Sequence, residues 1–496
     1  MKRAIHHITP LLSLLLILQS PSVLKGQQSG TMYMMHSIPQ SNLLNPAVQL
    51  HCKFFAGIPL GSTYFNYANT AFTYNDLAGT DTWNLYGVYR QMHRSDLYGL
   101  EAAIHPIMLG YRHRSLYFTF HVAEKVHAFQ TVPGELVEMV LFGNGPFVGE
   151  TARFNRLRIG GSYLREYSLG VSRVLNPFWT VGARAKLIFG KAGVHTSRSD
   201  AVFTTGATGF DLLLEGDYLL NSSFPYDFTY DADGIINGIE PGEIEPSRLL
   251  LNRRNPGFAL DLGVIFRPDD RTTLAASILD LGYVRWRSDV NNVRASGSFI
   301  YEGVDDETEI VSGAFLAGIR DSIIGSFDVE DRRSAYGSFL PPQVFLGGSW
   351  KARDQLNLGI ASRSMIYRSK LHSSVTLTAG TDLAERVLVA LSWSWLNNSA
   401  ANAGAALAYH GHGFQFHLST DNILGFFLPF DTRSLNLRAG FNIMLGCPRE
   451  RKKESGTPSY ESPPGAGKCP WAGSSRREKK IQRKAERLQN ARFYVK

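Results

Sequence analysis

Three histidines near the C-terminal end of the chain are the residues best suited to acid–base chemistry. His410, His412 and His417 flank Gly411 and Gly413, where the sequence predicts a tight turn between two strands. A Ser/His/Asn hydrolase would need a serine within hydrogen-bond reach of such a histidine. No spacing in the sequence identifies that partner. We therefore expect a polar turn and predict no catalytic residues and no enzyme activity, with a hydrolase kept only as a third hypothesis.

The cysteines and acidic residues do not predict a metal site, and no cofactor is expected. Cys52, Cys447 and Cys469 form no CxxC pair and no cluster with histidine. The acidic run at 305–309 lacks the spacing of an EF-hand, so we expect a solvated loop there. Cys447 and Cys469 each precede a proline and could pair as a disulfide in an oxidising compartment.

The positive charge of the chain is concentrated in its last fifty residues. Residues 447–496 contain 14 Lys and Arg against 5 Asp and Glu, whereas the other residues contain 37 against 38. Because the body of the protein is nearly neutral, the sequence argues against a nucleic-acid partner. In this tail a Pro/Gly/Ser-rich linker precedes a basic helix predicted at 474–493. The tail could dock an acidic partner or membrane surface, or it could be a disordered, solubilising extension.

Residues 1–26 have the pattern of a cleaved signal peptide. Lys2 and Arg3 precede a short apolar run from Leu11 to Leu18, which is too short to span a bilayer. No later run of about 18 apolar residues appears in the sequence. We therefore expect an exported protein.

The rest of the chain repeats a period of two over segments of about ten residues. From Leu435 to Leu445, for example, apolar side chains alternate with polar or small ones. The same pattern recurs at 116–122, 181–189, 258–266 and 387–396. Charged positions on the polar faces of these segments are Arg184, Lys186, Asp261 and Arg438, and we predict that they face the lumen. Aromatic residues near strand ends, namely Tyr283, Trp286, Trp350 and Tyr367, fit girdles at the membrane interfaces.

These observations predict an all-β fold, a transmembrane antiparallel β-barrel of about 14–16 strands. A soluble β-sandwich or propeller is the alternative, because half-buried sheets also alternate. We divide the chain into a signal peptide at 1–26, a plug with the first strands at 27–80, a barrel at 81–446 and a basic tail at 447–496. Short loop helices are expected at 82–93 and 133–142.

Several segments resemble an outer-membrane barrel family of unknown function from Bacteroidetes. They include QSNLLNPA at 40–47, GNGPFVGET at 143–151, SILDLGYVRWRSD at 277–289 and SLNLRAGFNIMLG at 434–446. That family is itself similar to FadL-like barrels, which include fatty-acid transporters and a type IX secretion component. The resemblance implies a lumen plugged near Asn45, Pro46 and Ala47, and chain termini on the periplasmic side.

Two functions follow as expectations. In the first, a barrel in outer-membrane lipids passively transports a hydrophobic or amphipathic small molecule past the plug. In the second, a structural or secretion-accessory barrel docks an acidic periplasmic partner through its tail.

Overall fold

The structure, a computed structural model, describes most of the chain between the predicted signal peptide and the tail. The described residues are 29–78, 84–92, 95–208, 211–230, 236–241, 246–301, 322, 325–353, 355–367, 370–384, 386–396 and 399–447. The predicted signal peptide, the acidic run at 305–309, Cys469 and the tail beyond Cys447 lie outside them.

Strands dominate the described residues. They are β1 Phe54–Gly57, β2 Ser62–Asn69, β3 Ser95–His113, β4 Leu116–Pro133, β5 Thr151–Arg153, β6 Arg158–Val174, β7 Trp179–Thr205, β8 Leu212–Ser223, β9 Tyr226–Tyr230, β10 Ile236–Pro241, β11 Pro256–Phe266, β12 Thr272–Trp286, β13 Val290–Tyr301, β14 Phe327–Arg332, β15 Tyr336–Phe339, β16 Gln343–Arg353, β17 Leu356–Tyr367, β18 Lys370–Ala384, β19 Val387–Leu396, β20 Ser399–His410, β21 Phe414–Thr420 and β22 Ser434–Leu445.

The helices are short and lie in the plug or in loops. They are Gly30–Tyr33, Ser41–Leu44, Tyr74–Leu77, Leu85–Gln91, Gly134–Phe142, Pro246–Leu251 and Leu424–Phe427, with 3-10 turns at Gly145–Phe147 and Pro429–Asp431. The helices predicted at 82–93 and 133–142 thus coincide with two of them. Over the described parts of the chain, no helix combines the length and apolar character that a membrane crossing requires.

The strands close into a 14-strand antiparallel barrel, which confirms the predicted fold class. β1 and β2 together occupy one position in the wall, between β22 and β3. The ring continues through β4, β6, β7, β11, β12 and β16 to β22. Because the ring has no free edge, the backbone groups of its wall can be paired within the sheet.

The last strand shows how the alternating sequence builds this wall. Leu437, Phe441 and Ile443 of β22 are 38%, 43% and 47% exposed on the outside, whereas Asn436 and Asn442 are almost fully buried inside. The same division of apolar and polar faces runs through the neighbouring strands. The outer surface is therefore an apolar band and the interior is polar, as the period of two predicts.

The two ends of the barrel differ. Short turns join β3 to β4, β6 to β7, β11 to β12 and β20 to β21 at one end, which also holds the beginning of β1 and the end of β22. The loop helices lie at the opposite, long-loop end. There β7 continues beyond its pairing with β11 and pairs with β8, and β13 and β14 extend this sheet. The alternation in the sequence predicts separate strands at 156–164 and 166–174 and at 178–193 and 199–205, but β6 and β7 each run through the corresponding pair as a single long strand.

A β-bulge in β12 explains why the girdle prediction is wrong for Trp286. Residues 279 and 280 lie opposite the single residue 261 of β11, and Asp280 has a φ of 60°. Both Leu279 and Asp280 consequently face inward, and the alternation is reversed beyond them. Trp286 is 1% exposed and donates a hydrogen bond to Ser338, whereas Tyr283 and Trp350 are 40% and 50% exposed.

Cys447 pairs with Cys52, so the predicted disulfide between Cys447 and Cys469 is wrong. The two sulfur atoms are 2.02 Å apart. β1 and β22 are neighbours at the short-turn end, and the Lys53 N–H donates to the carbonyl of Gly446. Pairing of the first and last strands thus brings together cysteines that are 395 residues apart in sequence. The short separation of Cys447 and Cys469 in the sequence therefore did not predict the disulfide.

We predict that Cys52→Ser abolishes this cross-link and lowers the free energy of unfolding by about 2–4 kcal/mol, because the unfolded chain loses a long covalent loop. Peptide mapping under non-reducing conditions and urea titration of the full chain test this. Cys469→Ser is the matched control and should leave both readouts unchanged. A Cys447–Cys469 peptide in the wild type would contradict the assignment.

Candidate functional site

The lumen is occupied by residues 29–50 of the chain itself, a segment that we call the plug. Met32, Tyr33 and Ile38 are no more than 1% exposed and pack with inward-facing wall residues. The Tyr33 ring stacks on Phe345 of β16, with 5.0 Å between ring centroids. The plug and the wall therefore share one hydrophobic core inside the barrel.

The predicted plug residues Asn45, Pro46 and Ala47 form a tight turn against the wall. The side-chain oxygen of Asn45 accepts a hydrogen bond from the Ala47 N–H at 2.9 Å, which closes the turn around Pro46. The Asn45 amide nitrogen donates to the carbonyls of Val264 on β11 and Ala276 on β12, at 3.4 and 3.3 Å. Asn45 thus fixes the turn to two wall strands, while a gating role for it stays a prediction.

Two wall glycines make this close approach possible. A Cβ atom on Gly263 of β11 would stand 2.1 Å from the side-chain oxygen of Asn45. A Cβ atom on Gly182 of β7 would stand 2.3 Å from the carbonyl oxygen of Pro46. Because both distances lie far inside van der Waals contact, any larger residue would force the turn away from the wall.

Arg184 of β7 holds the plug just before this turn. Its guanidinium donates to the carbonyls of Asn42 and Leu43 at 3.1 and 2.9 Å. Asp261 of β11 accepts from the same guanidinium at 2.7 Å and orients it. Ser277 adds a hydrogen bond to the carbonyl of Leu44 at 2.6 Å. The backbone carbonyls at the end of a plug helix are thereby satisfied by wall side chains.

An ionic network continues from Arg184 across the wall. Lys186 contacts Asp261 at 2.8 Å and also hydrogen-bonds Asp280, whose backbone N–H donates to Asp261 at 2.8 Å. Lys125 of β4 pairs with Glu166 of β6 at 2.8 Å. The bulge in β12 is what brings Asp280 into this network, because regular alternation would have turned its side chain outward.

A cavity of about 90 Å³, which we call the chamber, adjoins the plug and the network. Of the four predicted lumen charges, Arg184, Lys186 and Arg438 line it, and Asp261 lies behind Arg184 and Lys186. The structure brings Arg184, Lys186 and Asp261 into direct contact. The sequence analysis did not identify five further lining residues. Each of them is a charged residue within a strand whose sequence alternates between polar and apolar positions: Glu101, Lys125, Glu166, Asp280 and Arg363.

Arg438 of β22 lies apart from that contact. Its guanidinium carbon stands 4.2 Å from the centre of the Tyr64 ring, and it donates to the hydroxyl of Ser29 at 3.2 Å. Arg438 is 7% exposed. Its contacts are therefore a ring face and a hydroxyl instead of a carboxylate.

The three histidines do not assemble into a site. His410 contacts the carbonyl of Ser37 at 3.4 Å, and the exposed His412 contacts Arg386 at 3.2 Å. His417 is buried in the wall. Within the described ranges, no group of three or more His, Cys, Asp or Glu side chains is placed to hold a metal ion.

The outer side of the wall carries a groove of about 810 Å³. Phe258, Leu281 and Tyr283 line it together with Phe339 and Pro342. β12 pairs with β16 up to Leu279 and with β15 from Tyr283 onward, so the strand pairing is interrupted between these residues. Pro341 and Pro342 lie at this interruption and have no N–H to donate. Asp280 lines both the groove and the chamber.

We predict that Gly263→Ala displaces the plug turn, raises ion conductance in planar bilayers and destabilises the fold by about 1–3 kcal/mol. Gly380→Ala is the matched control, since a Cβ there would meet nothing nearer than 3.6 Å. Heat-modifiable migration on gels should show that both variants remain folded. A folded Gly263→Ala barrel with wild-type conductance would show that the turn does not obstruct ion flow.

Solved outer-membrane channels cover nearly the same length as this chain but are very different in sequence. A TodX mutant described as a monoaromatic hydrocarbon channel is 9% identical, covers 85% of this chain and 99% of its own, and has a TM-score of 0.38. A Pseudomonas aeruginosa FadL homologue is 10% identical, with coverages of 86% and 98% and a TM-score of 0.35. The P. putida toluene transporter TodX is 10% identical, with coverages of 84% and 97% and a TM-score of 0.37.

The strand pairing itself defines the barrel fold of this chain. No functionally curated protein matches the chain. A protein-family model does match residues 46–421, which include Pro46 and Ala47 of the plug turn, the network and the groove. The chain therefore belongs to that family, which is described as a family of unknown function (DUF5723).

Proposed function

We propose that the protein is an outer-membrane channel that passively admits a hydrophobic or amphipathic small molecule. The observation that carries the proposal is the apolar groove at the interrupted pairing of β12. There a molecule dissolved in the membrane would meet Phe258, Leu281 and Phe339 on the outside and Asp280 at the boundary with the chamber. This route would bypass the plug from the side.

The local backbone supports such a route. In an intact wall each neighbouring strand pair is closed by successive backbone hydrogen bonds. Here the Leu340 N–H donates to the carbonyl of Gly282 at 3.0 Å, and the two prolines that follow have no N–H. Fewer hydrogen bonds must therefore break for β12 to separate from the segment at 340–342 than along a fully paired stretch of wall.

The proposal includes an orientation in the membrane. Outer-membrane barrels have short periplasmic turns and long external loops. By this rule the short-turn end, where the plug joins β1 and where Cys447 lies, would face the periplasm. The loop helices at the opposite end would face outward. Removal of residues 1–26 during export and a source among the Bacteroidetes remain predictions from the sequence.

We predict that a larger side chain in the groove reduces uptake of an apolar molecule, whereas the same enlargement elsewhere on the outer wall does not. Leu281→Trp should fill part of the groove and reduce accumulation of the apolar dye N-phenylnaphthylamine by intact cells that express the protein. The control is Leu391→Trp, which adds the same bulk at a position that is 63% exposed on β19. Equal uptake by the two variants, at equal amounts of folded protein, would contradict the lateral route.

A second candidate function, docking of an acidic periplasmic partner through the tail, is favoured by one observation. The disulfide with Cys52 fixes the first residue of the tail to the short-turn end of the barrel. A tail that begins there would be presented on the side of the barrel where the plug joins β1. A net charge of +9 in residues 447–496, from 14 basic and 5 acidic residues, suits an acidic surface.

Deletion of residues 448–496 tests this second candidate while it keeps the disulfide. The truncated barrel should fold normally but lose a partner that co-purifies with the full chain at low salt. Raising the salt concentration should weaken the same interaction in the full chain, because screening reduces attraction between exposed charges. Identical co-purification with and without the tail would exclude tail-mediated docking.

A further inference from the structure

We propose that the chamber is a binding site for inorganic phosphate, with Arg438 and Glu101 as its two principal contacts. This site adjoins the apolar groove at Asp280, but binding of phosphate does not depend on the transport of a hydrophobic molecule. The inference rests on an unbalanced buried cation, on unpartnered polar atoms that face the same space, and on the size of that space.

The buried cation is Arg438. Five cationic side chains line the chamber: Lys125, Arg184, Lys186, Arg363 and Arg438. The first four each have a carboxylate within ion-pair distance, Glu166, Asp261, Asp280 or Glu101. Among the described residues, no carboxylate oxygen lies within 4.0 Å of the Arg438 nitrogens. A buried guanidinium without an anion is costly, so Arg438 favours an anionic ligand.

The nearest source of compensating charge is already engaged. Asp421 is buried close enough to influence Arg438 electrostatically, but its carboxylate accepts hydrogen bonds from the N–H and the hydroxyl of Thr31. The guanidinium of Arg438 presents several N–H donors, of which one contacts Ser29. Donors therefore remain for an oxyanion in the chamber.

Other polar atoms around the chamber also have no protein partner. The Tyr64 hydroxyl, Glu101 Oε1 and His105 Nδ1 make no hydrogen bond within the described residues, and these side chains are 9%, 3% and 5% exposed. Glu101 pairs with Arg363 at 3.7 Å through its other oxygen, and His127 Nδ1 lies 3.9 Å from Oε1, beyond hydrogen-bond distance. Leaving such groups unsatisfied in a buried site costs about 1–3 kcal/mol each. A polar ligand would satisfy several of them at once.

The chamber combines a guanidinium that has no carboxylate partner with a carboxylate oxygen that has no hydrogen bond, and this combination selects among oxyanions. Inorganic phosphate near neutral pH keeps at least one P–OH group, which can donate to Glu101 Oε1 while other oxygens accept from Arg438 and Tyr64. Fully ionised sulfate has no such proton, so Glu101 would repel it. The charge pattern of the chamber therefore predicts preference for phosphate over sulfate.

The size of the chamber limits the ligand further. About 10–15 Å³ of space measured for water-sized groups holds one water molecule. A chamber of about 90 Å³ consequently accommodates the five heavy atoms of phosphate. A phosphate ester of glycerol has ten heavy atoms, more than the roughly six to nine water-sized positions that this volume provides, and a lipid headgroup has more still. The site should thus take free phosphate and not a phosphorylated metabolite or a lipid headgroup.

The experiment measures equilibrium binding of radiolabelled phosphate to the full chain in detergent, with long dialysis to allow entry past the plug. Sulfate, acetate and glycerol 3-phosphate serve as competitors at matched ionic strength. We expect saturable binding that unlabelled phosphate displaces and that the other three displace poorly. Absence of saturable binding, or equal displacement by sulfate, would overturn the proposal. Strong displacement by glycerol 3-phosphate would contradict the size limit.

Three variants assign the binding to the chamber. Arg438→Gln and Tyr64→Phe should each weaken phosphate binding, Arg438→Gln by about 10- to 100-fold as expected for loss of a charged hydrogen bond. Glu101→Gln should reduce the preference for phosphate over sulfate. Arg294→Gln, which removes a cation from the partly exposed pair with Asp217 on the long-loop sheet, should bind like wild type.

Tyr64→Phe keeps the test decisive if Arg438→Gln fails to fold, because the Tyr64 hydroxyl has no hydrogen-bond partner in the described protein to lose. Unchanged phosphate affinity in a folded Tyr64→Phe barrel, together with an unchanged preference over sulfate in a folded Glu101→Gln barrel, would place any binding elsewhere. Uptake of N-phenylnaphthylamine by the same variants is a separate readout. Normal dye uptake without phosphate binding would overturn this inference and leave the transport proposal intact.

Discussion

The carboxylate of Asp261 holds two cations at once, Arg184 at 2.7 Å and Lys186 at 2.8 Å, in a side chain that is fully buried. Arg184 in turn holds the carbonyls of the plug, and Lys186 holds the bulged Asp280. Asp261 also accepts the Asp280 backbone N–H and so stabilises the bulge directly. The plug, the reversed alternation of β12 and the boundary of the groove therefore depend on one acidic residue.

Such a network would be costly on its own in the buried interior of a barrel. Buried ion pairs recover the desolvation cost only when their geometry and remaining hydrogen bonds are good. Here the plug backbone supplies acceptors that complete the guanidinium of Arg184, and Gln343 donates to Asp280 at 3.3 Å. The wall charges and the plug therefore stabilise each other, which explains why a polar interior can be filled by the protein's own chain.

The sequence predicted the regular parts of this structure because they follow one simple period. Alternation in β7 and β11 identified the inward faces and the positions of Arg184, Lys186 and Asp261 on them. It failed at Asp280 and Trp286, because a single bulge reverses every later position in a strand and leaves no mark in composition. It also failed for Cys52 and Cys447, whose proximity depends on ring closure between the first and last strands. The chamber residues escaped notice because contacts across a lumen are independent of sequence spacing.

The disulfide has a topological consequence. By joining Cys52 to Cys447 it converts the whole wall into a covalent macrocycle, and the plug becomes a branch that folds back into the ring from its point of attachment. The molecule thus has a lasso-like connectivity. A single backbone cut in any loop at the long-loop end would leave all parts of the wall in one covalent piece, so the seam of the barrel could not unravel from either end.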